Sequence, residues 1–176
     1  MRLYPHGAVG AFMSEYFEMA FKSREEATDF EKATVELFRD TFGFETKHVG
    51  PIGLTPDVLL LSDSDGYQAI IDNKAYRKYT ISNDHHNRMV HNYIGNLSRY
   101  SSSNHPLAVF SYIAGGFGGN IDGQLAKIVR ETSVHGSAVT VSNIIKMVEK
   151  QQQNPYSHAQ IRSIFSCDRQ VLLSDL

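Results

Sequence analysis

The chain has 176 residues, of which 41% are hydrophobic, 17 are basic and 19 are acidic, which gives a formal net charge of −2. This length supports one substantial hydrophobic core, so we expect a single domain over residues 1–176. One cysteine, Cys167, excludes an internal disulfide; the lack of a signal-peptide pattern or membrane-length apolar run leads us to expect a cytoplasmic protein.

Two helices are predicted ahead of the first strand. Apolar residues at helical spacing indicate a short amphipathic helix within the first twenty residues. A second apolar stripe predicts a helix from Asp29 to Thr41, with Ser23 or Thr28 as a possible N-cap and Gly43 as a stop signal.

A β-hairpin is predicted next, and it carries the most informative residues of the chain. Asp57 opens the apolar run Val58–Leu61, and after a polar turn the run Ala69–Ile71 leads into Asp72 and Lys74. Side chains two residues apart on a strand share a face, so Asp72 and Lys74 are expected to point into one cleft. Pairing of the two strands would bring Asp57 alongside Asp72.

The chemistry of these residue types indicates a metal-dependent nuclease site. Two neighbouring carboxylates repel each other unless a cation lies between them, and hard oxygen ligands select Mg²⁺, with Mn²⁺ as a substitute. A lysine beside them can hold a phosphate oxygen or an attacking water. Together these groups suit attack of water on a phosphodiester.

The second half of the chain alternates helices and strands. After the hairpin a helix is predicted from Asn83 or Asp84 to Tyr100, followed by a buried central strand over Leu107–Ala114. The glycine-rich segment 115–119 then leads into a helix over Asp122–Thr132; these glycines either approach the DNA backbone or only form a tight turn. The remaining predictions are a strand over Ser137–Val141, a helix over Ile144–Gln153 capped by Ser142 or Asn143, a helix over Ser157–Phe165, and an edge strand over Val171–Leu173.

Three histidines in the predicted helix after the hairpin suggest a second metal site. His85, His86 and His91 are residue types that bind zinc and other transition ions. Their spacing matches no firm ligand pattern, and no cysteine completes a set. We therefore expect them to be solvated or interface histidines.

Several short motifs extend the pattern beyond the acidic pair and the lysine. They are Glu36–Phe38, Phe42–Phe44, Lys47–Gly50, Pro56–Asp57, Ile71–Tyr76, Phe117–Asn120, Gln124–Leu125, Gly136–Val139 and Val141–Ser142. In order and spacing they resemble the FokI-type cleavage domain of type IIS restriction endonucleases, a member of the PD-(D/E)xK nuclease superfamily. The resemblance covers nearly the whole chain.

The resemblance implies both a fold and an activity. The fold is an α/β/α sandwich with a central mixed β-sheet, which the order of predicted helices and strands also favours. The activity is that of a Mg²⁺-dependent endodeoxyribonuclease that cuts one strand of duplex DNA per active site.

The resemblance also implies roles for individual residues. Asp57 and Asp72 would hold the metal ion, with the backbone carbonyl of Asn73 as a further ligand. Lys74 would stabilise the scissile phosphate or orient the attacking water.

A helical glutamate often completes the acidic cluster in this family, and Glu31 is the candidate here. Glu36 competes for the same role. A solvated helix acid with no catalytic part is the open alternative for Glu31.

Charge and sequence together indicate that this chain does not act alone. Proteins that bind nucleic acid unaided usually carry a basic patch, and this chain is slightly acidic. We therefore expect recognition by a larger, separate subunit in a heterodimer, or by a longer chain of which this is a fragment. The family pairs two cleavage domains through opposite charges on a helix, but Arg88 and Asn92 stand at those places here and cannot pair with a copy of themselves.

A second cleavage domain would still be needed for a double-strand break. Two other functions stay open at this point. Another PD-(D/E)xK nuclease, such as a junction resolvase or a transposon end-cleaving subunit, would share the same residues. A non-catalytic scaffold that only docks a partner would share the fold.

Overall fold

A five-stranded mixed sheet forms the centre of the protein in the computed structural model, which describes residues 6–22 and 27–176. The strands lie in the sheet in chain order: β1 Glu45–His48, β2 Val58–Ser62, β3 Tyr67–Asn73, β4 Leu107–Ala114 and β5 His135–Thr140. The first three strands are antiparallel, whereas β3, β4 and β5 run parallel to one another. The predicted hairpin is therefore present as β2 and β3.

Helices cover both faces of this sheet, which confirms the predicted α/β/α sandwich. They are α1 His6–Met19, α2 Ala27–Asp40, α3 Asn83–Asn87, α4 Ile121–Thr132, α5 Val141–Gln153 and α6 His158–Phe165. None of the helices in the described ranges is long and apolar enough to cross a membrane.

The two faces carry separate apolar cores. On one face, α1, α2, α5 and α6 pack an aromatic-rich cluster against the sheet, with Phe30, Phe38 and Phe165 fully buried. On the other face, α4 and the segment Arg88–Tyr93 that follows α3 bury a second cluster around Ile70 and Phe110. Because β3 and β4 are covered on both faces, nearly every residue in them is buried, as expected for central strands.

The predicted helix from Asn83 or Asp84 to Tyr100 is wrong as a single element. After α3 the chain continues as a π-helix over Arg88–Tyr93 and a 3₁₀ stretch over Ile94–Arg99. The wider turns keep Met89, Val90 and Tyr93 on the buried side. At the junction Gly95 approaches the Val90 carbonyl so closely that an added Cβ would lie 2.8 Å from its oxygen.

Several predicted helix starts are also corrected. Ser82 caps α3 by accepting a hydrogen bond from the His85 N–H, in place of Asn83 or Asp84. Thr140 caps α5 in the same way, so that helix begins at Val141, and neither Ser142 nor Asn143 is the cap. Thr28 lies inside α2, and Ser23 lies outside the described residues.

The two ends of the sheet differ from the prediction. Strand β1 was missed because Glu45–His48 is short and polar and gives no apolar alternation. The predicted edge strand Val171–Leu173 is wrong, since only an isolated bridge joins Ala138 to Gln170 and Leu173–Asp175 is a 3₁₀ turn. An ion pair stabilises that turn, with Arg169 Nη1 2.7 Å from Asp175 Oδ2.

Candidate active site

The hairpin register places the two aspartates opposite each other. Val58 pairs with Ile71, so Asp57, one residue before β2, lies across from Asp72 near the end of β3. Asp72 is only 3% exposed, whereas Asp57 is partly open to solvent. The sequence argument for bringing these two residues together therefore agrees with the geometry.

Lys74 shares the face of Asp72 and forms an ion pair with it. The Lys74 Nζ atom lies 2.8 Å from Asp72 Oδ2, and both side chains are largely withdrawn from water. Burial alone disfavours the ammonium ion, but the charge and hydrogen bond of Asp72, together with the charge of Asp57, outweigh it and raise the pKa of Lys74. Lys74 is therefore fully charged at neutral pH.

Asp57 lies in a very different electrostatic environment. Its Oδ2 atom accepts a hydrogen bond from the Asn73 N–H at 2.6 Å. Burial, the charge of Asp72, and the hydrogen bond and charge of Glu31 together raise the pKa of Asp57 well above its usual range. In the absence of a cation the Asp57 carboxyl group therefore holds a proton more tightly than an ordinary aspartate.

Glu31 reaches the site from α2, close enough to Asp57 to help raise the pKa of that aspartate. Its Oε2 atom also lies 3.1 Å from His48 Nε2, at the end of β1. Gly50 leaves room for this cluster, since an added Cβ would lie 3.5 Å from Asp57 Oδ1 and 3.6 Å from Glu31 Oε1. Of the two glutamates considered from the sequence, the structure brings Glu31 rather than Glu36 to the aspartates.

His48 is the site residue that sequence reasoning missed as a functional candidate. The signal was present in the motif Lys47–Gly50, but the strand that places it was not predicted. In β1, His48 pairs with Val58 and so lies beside Asp57 at the same edge of the site.

Asn73 connects the site to the layer of helices behind the sheet. Its side-chain Nδ2 donates to Thr34 Oγ1 at 2.8 Å, and Thr34 in turn donates to the Phe30 carbonyl within α2. The N–H and C=O of one strand residue point to the same side of the strand. Because the Asn73 N–H points at Asp57, its carbonyl faces that side as well.

Tyrosines form the wall of the site on the Asp72 side. Tyr79, Tyr93 and Tyr112 are all buried, and burial followed by neighbouring charges that include Asp72 raises the pKa of each one. Tyr112 pairs with Asp72 across β3 and β4, and its hydroxyl has no hydrogen-bond partner among the residues described. These rings exclude water from one side of Asp72 and so strengthen its interaction with a cation.

The donor atoms at this site fit Mg²⁺ or Mn²⁺. Asp57, Asp72 and the Asn73 carbonyl offer only oxygen, which is the donor that these hard cations prefer. Lys74 neutralises one of the three neighbouring acids and leaves a net negative site. Over residues 6–22 and 27–176 no group of three or more His, Cys, Asp or Glu side chains is arranged to hold a metal, so a carbonyl, water or substrate oxygens would complete the shell.

The three histidines considered as a second metal site have separate partners. His85 Nδ1 lies 2.8 Å from the Tyr79 hydroxyl, and His86 Nε2 lies 2.7 Å from Glu131. His91 is exposed. The expectation of solvated or interface histidines therefore holds for His91, whereas His85 belongs to the tyrosine wall.

The glycine-rich segment serves chain packing. The Gly115 and Gly118 N–H groups donate to the Tyr76 and Tyr79 carbonyls, so they are already used within the chain. An added Cβ at Gly116 would lie 2.4 Å from the Arg77 carbonyl oxygen. These glycines allow the segment that follows Lys74 to lie directly against the end of β4, which favours the turn interpretation over phosphate binding.

Comparison with known proteins gives one consistent result. The family model described as FokI, cleavage domain, matches residues 1–172. The type II restriction enzyme StsI from Streptococcus sanguinis is 25% identical in an alignment of 151 residues, and the match covers 80% of this chain and 25% of that enzyme.

Solved structures show the same fold. The structure of restriction endonuclease FokI matches with a TM-score of 0.78 and 23% identity over 90% of this chain. FokI bound to DNA matches with a TM-score of 0.81 and 22% identity over 97% of this chain. The chain spans about a quarter to a third of the length of these relatives. The chain therefore belongs to the FokI cleavage-domain family.

Proposed function

We propose that this chain is the Mg²⁺-dependent DNA-cleavage subunit or domain of a type IIS restriction enzyme, and that it hydrolyses one strand of duplex DNA per active site. The observation that carries this proposal is the placement of Asp57 opposite Asp72, with Lys74 bound to Asp72 at 2.8 Å. Two carboxylates and a lysine in this arrangement suit phosphodiester hydrolysis.

The roles of the residues follow from their environments. Asp57, Asp72 and the Asn73 carbonyl would hold Mg²⁺, which when bound lowers the pKa of a water molecule and screens charge on the phosphate. Asp72 would then share its charge between Mg²⁺ and Lys74. The Lys74 ammonium, held at the base of the cleft, would donate to a phosphate oxygen or orient the attacking water.

Glu31 and His48 would support Asp57 from the other side. Glu31 lies near Asp57 and helps to raise its pKa, and His48 would fix the orientation of Glu31 from β1 through their 3.1 Å contact. Groups that hold metal ligands in place from outside the coordination shell typically contribute to metal affinity. Glu31 is therefore proposed as a supporting member of the catalytic group.

The whole enzyme is proposed to contain more than this chain. The relatives are three to four times longer than the segment that this chain matches, and this chain has a net charge of −2. Arg88 binds Asp84 of its own chain at 3.0 Å, so it is already paired on the helix where the family joins two cleavage domains. We propose a larger DNA-recognition subunit as partner and a second cleavage domain for the opposite strand.

Nicking of supercoiled plasmid tests the cleavage proposal. We expect Mg²⁺-dependent nicking by the wild type at high concentration, and loss of at least about a thousandfold in rate with Asp72→Asn. Asp63→Asn is the matched control, because Asp63 lies in the exposed turn of the same hairpin and should leave the rate unchanged. An Asp72→Asn variant that nicks at the wild-type rate would contradict the assignment.

Gel filtration and substrate choice test the partner proposal. We expect the chain alone to be a monomer that cuts without sequence preference. A stable homodimer that cleaves one defined sequence would contradict the need for a recognition subunit. A strong preference for branched DNA or transposon ends would instead favour the other nucleases of this superfamily.

A further inference from the structure

His85 is the one histidine of its helix that lies against the tyrosine wall of the site. It is partly exposed, and its Nδ1 atom lies 2.8 Å from the hydroxyl of Tyr79, which is 2% exposed. Lys74 Nζ lies over the same Tyr79 ring, 5.7 Å from its centre. A single buried ring therefore connects His85 with the lysine of the site.

The hydrogen bond to Tyr79 determines which ring nitrogen of His85 carries the proton. Burial and nearby negative charge raise the pKa of Tyr79, so its hydroxyl remains protonated and can donate. Burial and then the charge of Lys74 lower the pKa of His85, although Asp72 opposes this effect. A neutral imidazole that accepts at Nδ1 carries its proton on Nε2.

The Nε2 atom is available for a ligand. Among the residues that the structure describes, no hydrogen-bond partner lies at His85 Nε2. The surroundings favour an anion, because Lys74 lies across the Tyr79 ring and the exposed residues Arg77 and Lys78 lead into Tyr79. Arg88, three residues after His85, is paired with Asp84 at 3.0 Å, so the two together add no net charge.

We propose that His85 is a further DNA-contacting residue, whose Nε2–H donates to a backbone phosphate next to the one held by Lys74. Lys74 lies over the ring of Tyr79, whereas His85 lies at its hydroxyl tip, so we assign the two donors to successive phosphates. Tyr79 acts as the positioning residue for His85. This inference rests on the proposed function, since it places DNA in the cleft.

The contact has a specific signature in DNA binding. A hydrogen bond to a charged group is typically strong enough that its loss weakens binding about tenfold or more. A neutral donor displaces no counterion, so its removal leaves the salt dependence of binding unchanged, whereas loss of a cationic contact would reduce the slope by about 1. His85→Ala is therefore expected to raise Kd about tenfold at an unchanged salt slope.

The test compares four single variants and one double variant by fluorescence anisotropy with a labelled duplex oligonucleotide, with Ca²⁺ in place of Mg²⁺. We expect His85→Gln, whose amide can donate near the Nε2 position, to keep most of the affinity. Tyr79→Phe should give a smaller loss than His85→Ala, and adding it to His85→Ala should cause little further change. His86→Ala is the matched control: His86 lies on the same helix as His85 but binds Glu131 of α4, so its removal should not alter Kd.

Nitrogen-15 NMR of the histidine rings provides an independent readout of the arrangement. We expect the Nε2–H form of His85 in the wild type and a mixture of both neutral forms in Tyr79→Phe. An unchanged Kd in His85→Ala, or an equal loss in His86→Ala, would overturn the inference.

Failure of this inference and failure of the cleavage proposal can be told apart. Nicking that depends on Asp72, together with DNA binding indifferent to His85, would reject the His85 contact alone. Binding that depends on His85, without nicking by the wild type, would reject the cleavage proposal alone.

Discussion

The two aspartates of the site are neighbours in one hairpin, yet their environments are opposite. Asp72 is buried beside Lys74, which supplies a compensating positive charge at 2.8 Å. Asp57 faces Glu31 and Asp72, and its pKa is raised well above the usual range by burial and these acids. The charge of Asp72 is therefore balanced by Lys74 without a metal ion. Asp57, in contrast, lies among negative charges that only a cation would neutralise.

This comparison explains why a fold can hold three acids together at all. A buried ion pair that keeps both partners is tolerated, because attraction offsets the cost of removing the charges from water. Repelling carboxylates are tolerated only by sharing a proton or binding a cation. The difference between the two sides leads to four predictions.

The largest effect on stability is expected when Lys74 is removed. Lys74→Met leaves the Asp72 carboxylate buried without a positive partner and should lower the free energy of unfolding of the metal-free protein by about 3 kcal/mol. Urea unfolding in EDTA measures this. The double variant Asp72→Asn/Lys74→Met should recover most of the loss; a cost below about 1 kcal/mol for Lys74→Met would show that Asp72 is not dependent on the lysine.

The Lys74 side also depends on the glycine-rich segment that packs against it. Gly116→Ala would bring a Cβ within 2.4 Å of the Arg77 carbonyl oxygen and should destabilise the protein by about 1–3 kcal/mol. Gly119→Ala is the matched control, since an added Cβ there meets no atom within 4 Å. Equal unfolding free energies for the two variants would contradict the packing role.

The Asp57 side is expected to respond to pH in the opposite way to an ordinary paired aspartate. Its pKa in the folded state lies above the unfolded value of about 3.9. The stabilisation from its bound proton is therefore complete below about pH 4 and is lost as the pH rises through the folded pKa. Asp57→Asn cannot ionise, so it should avoid this loss of stability and raise the Tm of the metal-free protein at pH 7.

Thermal unfolding from pH 4 to 8 in EDTA measures this difference. The gap in Tm between Asp57→Asn and the wild type should widen as the pH increases. A Tm difference that narrows with increasing pH would mean that the folded state favours the charged form of Asp57. Addition of Mg²⁺ should stabilise the wild type and not the variant.

The smallest effect is expected for the supporting glutamate. Glu31→Gln keeps a hydrogen-bonding group near Asp57 but removes a charge, and it should weaken Mg²⁺ binding by about tenfold. Glu36→Gln, on the same helix, serves as the control and should leave the affinity unchanged. An equal change in both variants would remove Glu31 from the site.

Much of the site could be predicted because it depends on local pattern. Strand periodicity places Asp72 and Lys74 on one face, and a hairpin of fixed register places Asp57 beside them. The positions of Glu31 and His48 depend on how α2 and β1 pack at the sheet edge, which no local pattern reports. Glu31 was therefore only one of two candidates, and His48 was not considered.

The same distinction applies to the fold. Strand β4 was predicted at its observed bounds, because every residue of Leu107–Ala114 except Ser111 is apolar. The irregular segment after α3 was predicted as regular helix, since its apolar spacing is close to that of an α-helix and the close approach of Gly95 to Val90 is a tertiary feature. The single-domain organisation over residues 1–176 stays a prediction.

Calorimetric titration of Mg²⁺ into the wild type and Asp72→Ala tests the central claim most directly. The account predicts Mg²⁺ binding to the wild type, with the heat of binding abolished by Asp72→Ala while circular dichroism shows the fold retained. Mn²⁺ should give the same pattern. Absence of binding to the wild type, or equal binding to both proteins, would contradict a metal site at Asp57 and Asp72.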